Sequence, residues 1–433
     1  MAAPMNGTPL NGTNGASHSD LIALADHISR QTKEISNYLQ ANHYEAPTFS
    51  AGSGDPPSTP EYLALHSSLK TSLEDLQRLV DGPRRHMRAF LLEGYDLAAF
   101  QVALDFRFFD LVPRDEEILL EELARKAGLD VDRASRIVRM MITHRFFQEN
   151  RPGYISHNNA SYILQKDEEF RCTVHYTLDE MWKAATATSD SLKESPYEVN
   201  SEHTAFSTRH GLPIFKYYAQ DPKRAGRFAR AMAGATRMDR HLNELRDCFD
   251  WGSLKGKVVD VGGGSGHISI ALAKLFPSLE FVVQDGSNDM LVQGKALLGD
   301  DVRGRVSFMQ HSFFEPQPLK DAGCFLIRQC THNWCDKDVV TMFKSIVPGL
   351  EASKPGTPFL VNDIIMPEPG TIPRHSEREL RQIDLIMLVA FGAKQRTRAE
   401  FEALLKEADS RFVIRHVQGE GLPLGLLEVY LEQ

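Results

Sequence analysis

The sequence predicts an α/β fold in which a doubly wound, mostly parallel sheet follows a mostly helical N-terminal part. From residue 258 onward, short β-branched apolar segments alternate with segments of helical periodicity, as a parallel sheet with crossover helices requires. Between residues 60 and 150 the apolar residues recur at helical spacing instead. The 433 residues and the hydrophobic content of 42% suit two domains with substantial cores.

The N-terminal part is predicted to hold a tail, a helix, a linker and a winged-helix-like domain. The first eighteen residues are rich in Asn, Gly, Thr, Pro and Ser, a composition typical of disorder. An amphipathic helix follows the candidate cap Asp20, and residues 46–60, rich in Pro, Gly and Ser, then form a linker. Residues 119–123, 134–141 and 146–154 are predicted as three short helices closed by a small hairpin, which resembles a winged helix.

The C-terminal half supplies the sheet. Five strands with helices between them are predicted, at residues 258–261, 281–283, 306–309, 324–328 and 359–363. Two last strands, 412–417 and 426–431, are joined by a short connection containing Gly and Pro, which predicts an antiparallel pair at one sheet edge. The predicted divisions are a tail, helix and linker at 1–59, a winged-helix-like domain at 60–190 and a sheet domain at 191–433.

A glycine-rich turn follows the first of these strands. Gly262, Gly264 and Gly266 lie between the β-branched strand and a helix, where glycine lets the backbone approach a ligand. The dinucleotide fingerprint needs glycine where His267 stands, so a nicotinamide or flavin cofactor fits poorly. The spacing favours S-adenosylmethionine, and Asp285, about twenty residues later, could accept its ribose hydroxyls. The alternative is an α/β turn that binds no ligand.

Composition excludes several classes of partner. The formal net charge is −9 and no basic cluster dominates, so no nucleic-acid partner is expected. The sequence contains neither a signal peptide nor a run of about eighteen apolar residues, so we expect a cytoplasmic protein without a membrane partner. The five cysteines show no metal-site spacing, which predicts reduced thiols and no metal site.

Ligands of doubly wound sheets bind beyond the carboxyl ends of the strands, and the residues found there carry a family resemblance. The segments concerned are Val-Asp-Val-Gly-Gly-Gly-Ser-Gly, Asp285, Ser-Phe-Phe, His-Asn-Trp, Asp363 and Lys-Gln-Arg-Thr at 394–397. In this order they resemble the plant-type, caffeate-like small-molecule O-methyltransferase family, especially its fungal secondary-metabolism branch. The resemblance covers roughly residues 60–433 and implies a Rossmann-like methyltransferase domain, a winged-helix-like dimerisation domain and an intertwined homodimer.

The resemblance also implies binding residues. Those expected at S-adenosylmethionine are Gly262, Gly264, Gly266, Asp285, Ser312, Phe313, Arg328 and Thr236. Phe313 would flank the adenine and Thr236 would lie near the amino-acid end of the cofactor. Those expected to sandwich the substrate are Phe228, Met232, Met387 and Phe391. Helical spacing alone equally allows these last four to be ordinary core residues.

The family's general base corresponds to His332, whose imidazole suits proton removal from a hydroxyl at neutral pH. Asp363 keeps one supporting acid. Gln395 and Asn333 stand where the family usually has Glu and Asp, and Ser312 replaces a usual Asp in the adenine loop. An amide can orient a histidine but cannot compensate an imidazolium. The sequence therefore disfavours ordinary methyl transfer, unless the enzyme relies on Asp363 alone.

A branch of this family keeps the fold and the cofactor pocket but dehydrates and cyclises pyridone intermediates, and the chain resembles these pericyclases. Lys337 is a candidate hydrogen-bond donor to a pyridone oxygen, although it could be a solvated lysine at a helix start. His157 is a second candidate, reaching the site from a dimer partner, although it could be a surface histidine. With His332, Asp363 and Gln395, these residues form the predicted catalytic group.

The preferred function is therefore an O-methyltransferase-fold pericyclase of fungal secondary metabolism. It would dehydrate a 4-hydroxy-2-pyridone alcohol and direct an Alder-ene or hetero-/Diels–Alder closure, with S-adenosylmethionine bound without methyl transfer. The alternative is an S-adenosylmethionine-dependent O-methyltransferase acting on a phenol or an enol. A third hypothesis is a catalytically silent binding protein, which the retained His332, Asp363 and glycine turn disfavour.

Overall fold

A computed structural model describes residues 21–239 and 242–432, without the side chains of residues 236–244. The tail predicted to be disordered, and Asp20, lie outside the described residues. The chain forms two compact units. The first runs up to Leu178 and includes Glu368–Glu379, and the second comprises Asp179–Pro367 and the residues from Leu380 onward. The first unit thus includes the predicted arm and linker, and it ends before the predicted domain boundary at residue 190.

Seven helices and a small sheet make up the first unit in the described part of the chain. The helices are α1 (Leu21–Ala41), α2 (Pro60–Asp105), α3 (Phe108–Leu111), α4 (Leu120–Ala127), α5 (Val131–Thr143), α6 (Asn159–Lys166) and α7 (Glu168–Tyr176). The strands are β1 (Ile118–Leu119), β2 (Gln148–Arg151) and β3 (Tyr154–Ser156), in the antiparallel order β1-β3-β2.

The prediction of a helix at residues 146–154 is wrong, because this segment forms the hairpin of β2 and β3. Gly153 has a φ of 82°, a left-handed conformation that suits a tight turn and that glycine adopts without strain. The Glu149 side chain accepts the Gly153 N–H at 2.7 Å, and Pro152 has no N–H to give a helix. The other two predicted helices correspond to α4 and α5.

The second unit begins with short helices and then alternates strands with helices. After a π-helical turn at Thr177–Trp182, its helices are α8 (Lys183–Ala185), α9 (Thr188–Glu194), α10 (Ala205–His210), α11 (Ile214–Ala219), α12 (Pro222–Asp239), α13 (Leu242–Asp247), α14 (His267–Leu275), α15 (Asn288–Leu297), α16 (Asp336–Glu351), α17 (Arg374–Phe391, whose first residues belong to the first unit) and α18 (Arg398–Ala408). Its strands are β4 (Lys257–Val261), β5 (Glu280–Asp285), β6 (Val306–Gln310), β7 (Ala322–Arg328), β8 (Phe359–Asp363), β9 (Ile365–Met366), β10 (Arg396–Thr397), β11 (Phe412–Gln418) and β12 (Gly425–Leu431).

Seven of these strands form one sheet in the order β11-β12-β8-β7-β4-β5-β6. All neighbouring pairs are parallel except those that β12 makes with β8 and β11. All seven predicted strands are present, and the predicted antiparallel pair forms one edge, with β11 outermost. The short strands β9 and β10 form a parallel pair of their own, in which Arg396 is opposite Ile365.

The sheet is covered on both faces, as a doubly wound fold requires. Val259 belongs to one apolar core and Val258 to the other, because successive side chains of a strand point to opposite faces. Helices α16 and α18 contribute to the first core, and α14 contributes to the second. The buried parallel strands therefore read as continuous apolar runs in the sequence. Within the described residues, no helix is long and apolar enough to cross a membrane.

Candidate active site

The glycine turn after β4 is built around backbone contacts with β5. The N–H groups of Gly262 and Gly263 both donate to the Gln284 carbonyl, at 2.8 and 3.0 Å. Gly262, Gly264 and Gly266 have φ values of 74°, 59° and 71°, which only glycine adopts readily. The predicted spacing therefore corresponds to the three left-handed positions of the turn.

Gly263 is required for a different reason, which the sequence analysis missed. A Cβ atom at this position would lie 2.5 Å from Oδ2 of Asp260. Asp260 is buried, and its carboxylate accepts a hydrogen bond from Ser269 at 2.6 Å. Burial raises the pKa of Asp260 to about 6, because a buried site disfavours the charged form. The turn is thus packed directly onto a buried carboxyl group.

Asp285 is the last residue of β5, and its carboxylate connects the glycine turn to the segment that follows β5. Its Oδ2 accepts the Gly264 N–H at 3.0 Å, and its Oδ1 accepts the Ser287 N–H at 2.8 Å. Each carboxylate oxygen can accept more than one hydrogen bond, so both retain capacity for a ligand. The side chain is only partly buried. This arrangement fits a cofactor with two vicinal ribose hydroxyls.

An aromatic group lies against the turn. The ring of Phe313 lies 3.2 Å from the position of a Cβ on Gly262, and Phe313, Phe314 and Trp334 form mutual edge-to-face contacts. The Ser312 hydroxyl accepts the Phe314 N–H at 3.3 Å. Phe313 therefore lies next to the turn, and Ser312 organises the segment through its hydroxyl; the adenine contact of this segment stays a prediction.

Arg328 lies at the carboxyl end of β7, between the turn and the catalytic segment in sequence. Its Nη1 donates to Oε1 of Gln329 at 3.0 Å. Its positive charge lowers the pKa of Asp260 and partly opposes the effect of burial. Arg328 thus supplies positive charge below the turn, and its predicted contact with the cofactor remains a proposal.

His332 and Asp363 form a buried pair. Nδ1 of His332 lies 2.6 Å from Oδ1 of Asp363, and the exposed fractions are 6% and 2%. Thr331 donates its hydroxyl to Oδ2 at 2.6 Å, and the Ile364 N–H donates to Oδ1 at 3.0 Å. Burial alone would raise the pKa of Asp363, but His332 and these donors lower it below its usual value. Because Nδ1 is engaged, Nε2 is the ring nitrogen left for a substrate.

Arg396 holds the turn that carries His332, a role that the sequence analysis did not assign. Its guanidinium is buried and donates to the carbonyls of Thr331 and Trp334, at 2.9 and 2.8 Å. It also makes two bonds to Asp336 at the start of α16. No local signal distinguishes such an arginine from a surface one, because Thr331, Trp334 and Asp336 are all 60 or more residues distant in the chain.

Gln395 precedes β10 and is buried, with 4% of its surface exposed. Its backbone N–H donates to Oδ1 of Asp384 at 2.7 Å. Neither Oε1 nor Nε2 of its side chain has a hydrogen-bond partner within the described part of the chain. The structure thus gives no hydrogen bond through which this amide orients His332.

Two predicted catalytic residues are not brought into the buried group. Lys337, the second residue of α16, is exposed, which matches the alternative of a solvated lysine. His157 belongs to the first unit and is buried, not at the surface, with ring nitrogens 2.9 Å from the Ser161 hydroxyl and 3.1 Å from the Val112 carbonyl. Burial lowers its pKa. Both ring nitrogens are engaged within the first unit, so we leave both residues out of the proposed site; the contact of His157 with a partner's site stays a prediction.

The predicted substrate residues lie on α12 and α17. The Phe228 ring stacks on Tyr218 with 4.5 Å between centroids, and Met232 is 38% exposed. Met387 is buried, and the Phe391 ring lies 5.7 Å from that of Phe215. The side chain of Thr236 lies outside the described residues. These contacts put aromatic and thioether groups on both helices, and the role of these four residues at the substrate stays a prediction.

The sheet has one antiparallel strand, β12, next to its edge, and a glycine turn follows β4. Both features occur in the methyltransferase fold. Comparison with known proteins agrees. The O-methyltransferase domain family matches residues 190–411, and O-methyltransferase sol2 of Alternaria solani is 57% identical over 97% of this chain and 98% of its own. The chain belongs to the O-methyltransferase family and is an enzyme of that fold from secondary metabolism.

Solved structures share the fold at lower identity. The mitomycin 7-O-methyltransferase MmcR is 22% identical, covers 80% of this chain and 97% of its own, and has a TM-score of 0.67. A pericyclic reaction enzyme is 21% identical, covers 94% of this chain and 100% of its own, and has a TM-score of 0.72. Since one fold serves both reactions, the choice between them depends on the site.

Proposed function

We propose that this protein is an S-adenosylmethionine-dependent O-methyltransferase that acts on a phenolic or enolic hydroxyl of a small secondary metabolite. The observation that carries the proposal is the 2.6 Å contact between Nδ1 of His332 and Oδ1 of Asp363. A carboxylate in this position can stabilise the imidazolium that forms when a hydroxyl is deprotonated. The 57% identity to an O-methyltransferase supports the same reaction.

The residues of the turn fit the cofactor. The left-handed glycines let the turn pack closely against its neighbours, with no Cβ atoms, and Asp285 retains acceptor capacity for ribose hydroxyls. Phe313 offers a ring edge beside Gly262 for an adenine. When bound, S-adenosylmethionine would supply an electrophilic methyl group. The protein's part would be to orient the acceptor hydroxyl and to accept its proton at Nε2 of His332.

A pericyclase is the second candidate, since two amides, Gln395 and Asn333, stand near a histidine where acids are usual. Neutral neighbours suit a histidine that donates or accepts hydrogen bonds without a lasting charge. The exposed position of Lys337 weighs against this candidate, because it favours a solvated lysine over the proposed donor to a pyridone oxygen. An O-methyltransferase is therefore preferred to the pericyclase that the sequence alone favoured.

One experiment distinguishes the two. Purified protein is incubated with methyl-labelled S-adenosylmethionine and, separately, a phenol and enol panel or a 4-hydroxy-2-pyridone alcohol, and products are followed by mass spectrometry. Labelled product with an equal amount of S-adenosylhomocysteine supports methyl transfer. A cyclised product without S-adenosylhomocysteine would establish the pericyclase instead. The His332→Ala variant is expected to lose activity in either case, whereas Lys337→Ala should retain it.

We also propose a homodimer formed through helix α2. Four large side chains on one face of this helix are 57–72% exposed, namely Met87, Phe90, Leu91 and Tyr95. Such a continuous apolar stripe is unusual on a monomer. Basic residues precede its centre, at 84, 85 and 88, and acidic ones follow, at 93 and 96. Two antiparallel copies of α2 would therefore join apolar faces and place opposite charges together.

A further inference from the structure

Gln395 is the one glutamine with both side-chain amide atoms buried and unpaired in the described part of the chain. Another pair of buried glutamines behaves differently. Nε2 of Gln284 donates to Oε1 of Gln317 at 2.9 Å, and Nε2 of Gln317 donates back at 2.8 Å. A buried amide is costly when it stays unpaired, and these two glutamines satisfy each other's amide atoms reciprocally. The absence of such a partner at Gln395 points to a partner from outside the protein.

The surroundings of Gln395 indicate that this partner is the substrate. In the parallel pair of β9 and β10, Arg396 is opposite Ile365, so Gln395 is next in register to Ile364, which follows Asp363. The backbone N–H of Gln395 is held by Asp384. Asp384 and Met387 are three residues apart on α17, and such residues share a helix face. Gln395 is thus held between the catalytic carboxylate and the helix that carries Met387.

We propose that the Gln395 amide makes two hydrogen bonds to the substrate, with Nε2 donating to a carbonyl and Oε1 accepting from an adjacent N–H or O–H. The Gln284–Gln317 pair has the same reciprocal pattern. The matching chemistry is a planar ring with a donor beside a carbonyl, which is either a cyclic amide or a hydroxyl next to a ketone. This inference rests on the proposed function, and it assigns Gln395 to substrate selection instead of histidine orientation.

The test uses calorimetry to measure the binding of small ring compounds to the protein with S-adenosylhomocysteine present. The probes are 4-hydroxy-6-methyl-2-pyridone and its N-methyl derivative, and 3-hydroxy-2-methyl-4-pyrone and its O-methyl derivative. Wild-type protein is expected to bind at least one donor-bearing ring more tightly than its methylated partner, by about 10- to 100-fold. A preference within the pyridone pair would identify a cyclic amide as the substrate class, and a preference within the pyrone pair would identify a hydroxy-ketone.

Variants connect that preference to Gln395. Gln395→Met keeps the shape of the side chain without the amide and should abolish the preference, whereas Gln418→Met, at an exposed glutamine, should keep it. Gln395→Glu retains an acceptor and should still prefer the donor-bearing ring while binding both rings more weakly. An equal preference in Gln395→Met and wild type, or no preference in wild type, overturns the inference. If wild-type protein does not bind S-adenosylhomocysteine, the result contradicts the proposed function instead.

Discussion

The Asp363 carboxylate determines the electrostatics around the candidate base. It receives hydrogen bonds from the Thr331 hydroxyl and the Ile364 N–H, and it contacts Nδ1 of His332. These neighbours outweigh burial and lower its pKa. The carboxylate is therefore ionised throughout the neutral range, and it holds the imidazole in the tautomer that leaves Nε2 free to accept a proton.

Replacing Asp363 with Asn should reduce kcat by about 10²–10⁴-fold, the usual contribution of a positioned general base. An asparagine can hold the ring but cannot stabilise the imidazolium. The measurement is kcat with a methyl acceptor found in the product assay. Asp300→Asn, at a carboxylate whose side chain is 99% exposed, is the matched control. A near-normal kcat in Asp363→Asn, with normal cofactor affinity, would exclude His332–Asp363 as the base.

The amides at Gln395 and Asn333 illustrate the limit of sequence reasoning for single residues. Their presence in place of acids suggested that methyl transfer was impaired. The structure instead gives Asp363 two hydrogen-bond donors, Thr331 and Ile364, and a direct contact with the His332 ring, so one carboxylate suffices to pair with the ring. Residue type alone does not reveal how many hydrogen bonds a remaining carboxylate receives.

At the scale of elements, the turn between β4 and α14 depends on Gly263. The Asp260 carboxylate below it is fixed by Ser269, so it cannot move away from an added methyl group. Gly263→Ala should destabilise the fold by about 1–3 kcal/mol, as overpacking does, and weaken S-adenosylhomocysteine binding at least about tenfold. Thermal unfolding and calorimetry test these effects.

Gly304→Ala is the control for this change, because a Cβ at Gly304 would meet no atom within 4 Å. It should leave both the unfolding temperature and the cofactor affinity unchanged. If Gly263→Ala behaves like Gly304→Ala, the turn adapts more freely than its packing indicates.

The segment Glu368–Glu379 is attached to α2 within the first unit by charge. Glu74 bonds to Arg378 and lies 2.8 Å from Nδ1 of His375. Its pKa is lowered from 4.5 to about 2, chiefly by the hydrogen bond from Arg378. A carboxyl group with a lowered pKa in the folded state stabilises above its unfolded pKa, and that stabilisation is lost as the pH falls through the folded value.

Glu74→Gln should therefore lower the free energy of unfolding by about 2 kcal/mol at pH 7. The difference from wild type should shrink progressively as the pH falls from about 4.5 towards 2, where wild-type Glu74 also becomes neutral. Denaturant unfolding across this range measures it. Glu121→Gln, at an exposed position of α4, should show no such convergence. A constant difference at all pH values would contradict the proposed ionic attachment.

At the scale of the whole molecule, the exposed face of α2 predicts the oligomeric state. Wild-type protein should sediment as a dimer, and Leu91→Asp should weaken dimerisation by at least about 100-fold, because a two-fold axis near this residue would bring two charges into an apolar contact. Leu297→Asp, at a 54% exposed leucine of α15, is the matched control. Equal masses for wild type and Leu91→Asp across a dilution series would exclude this face.

Local sequence patterns predicted most of the fold. The strands β4 to β8 were recognisable because buried parallel strands are continuous and β-branched, and the last two because Gly and Pro join them. Residues 146–154 were mistaken for a helix, since a short segment with apolar residues only at its two ends has no clear period. The inclusion of Glu368–Glu379 in the first unit could not be predicted, because its attachment to Glu74 spans about 300 residues of chain.

The sequence by itself determined the order of the elements, the position of the ligand turn and the identity of the candidate base. The first two follow from spacing between near neighbours, which acts locally on the backbone, and the third follows from the resemblance of the ordered motifs to the O-methyltransferase family. Only the tertiary structure decided which polar groups meet. Asp363 contacts His332, Arg396 holds the turn that carries His332, and the side-chain amide of Gln395 has no partner among the described residues. Such contacts depend on the pairing of distant strands and on burial, and both arise only when the whole sheet has formed.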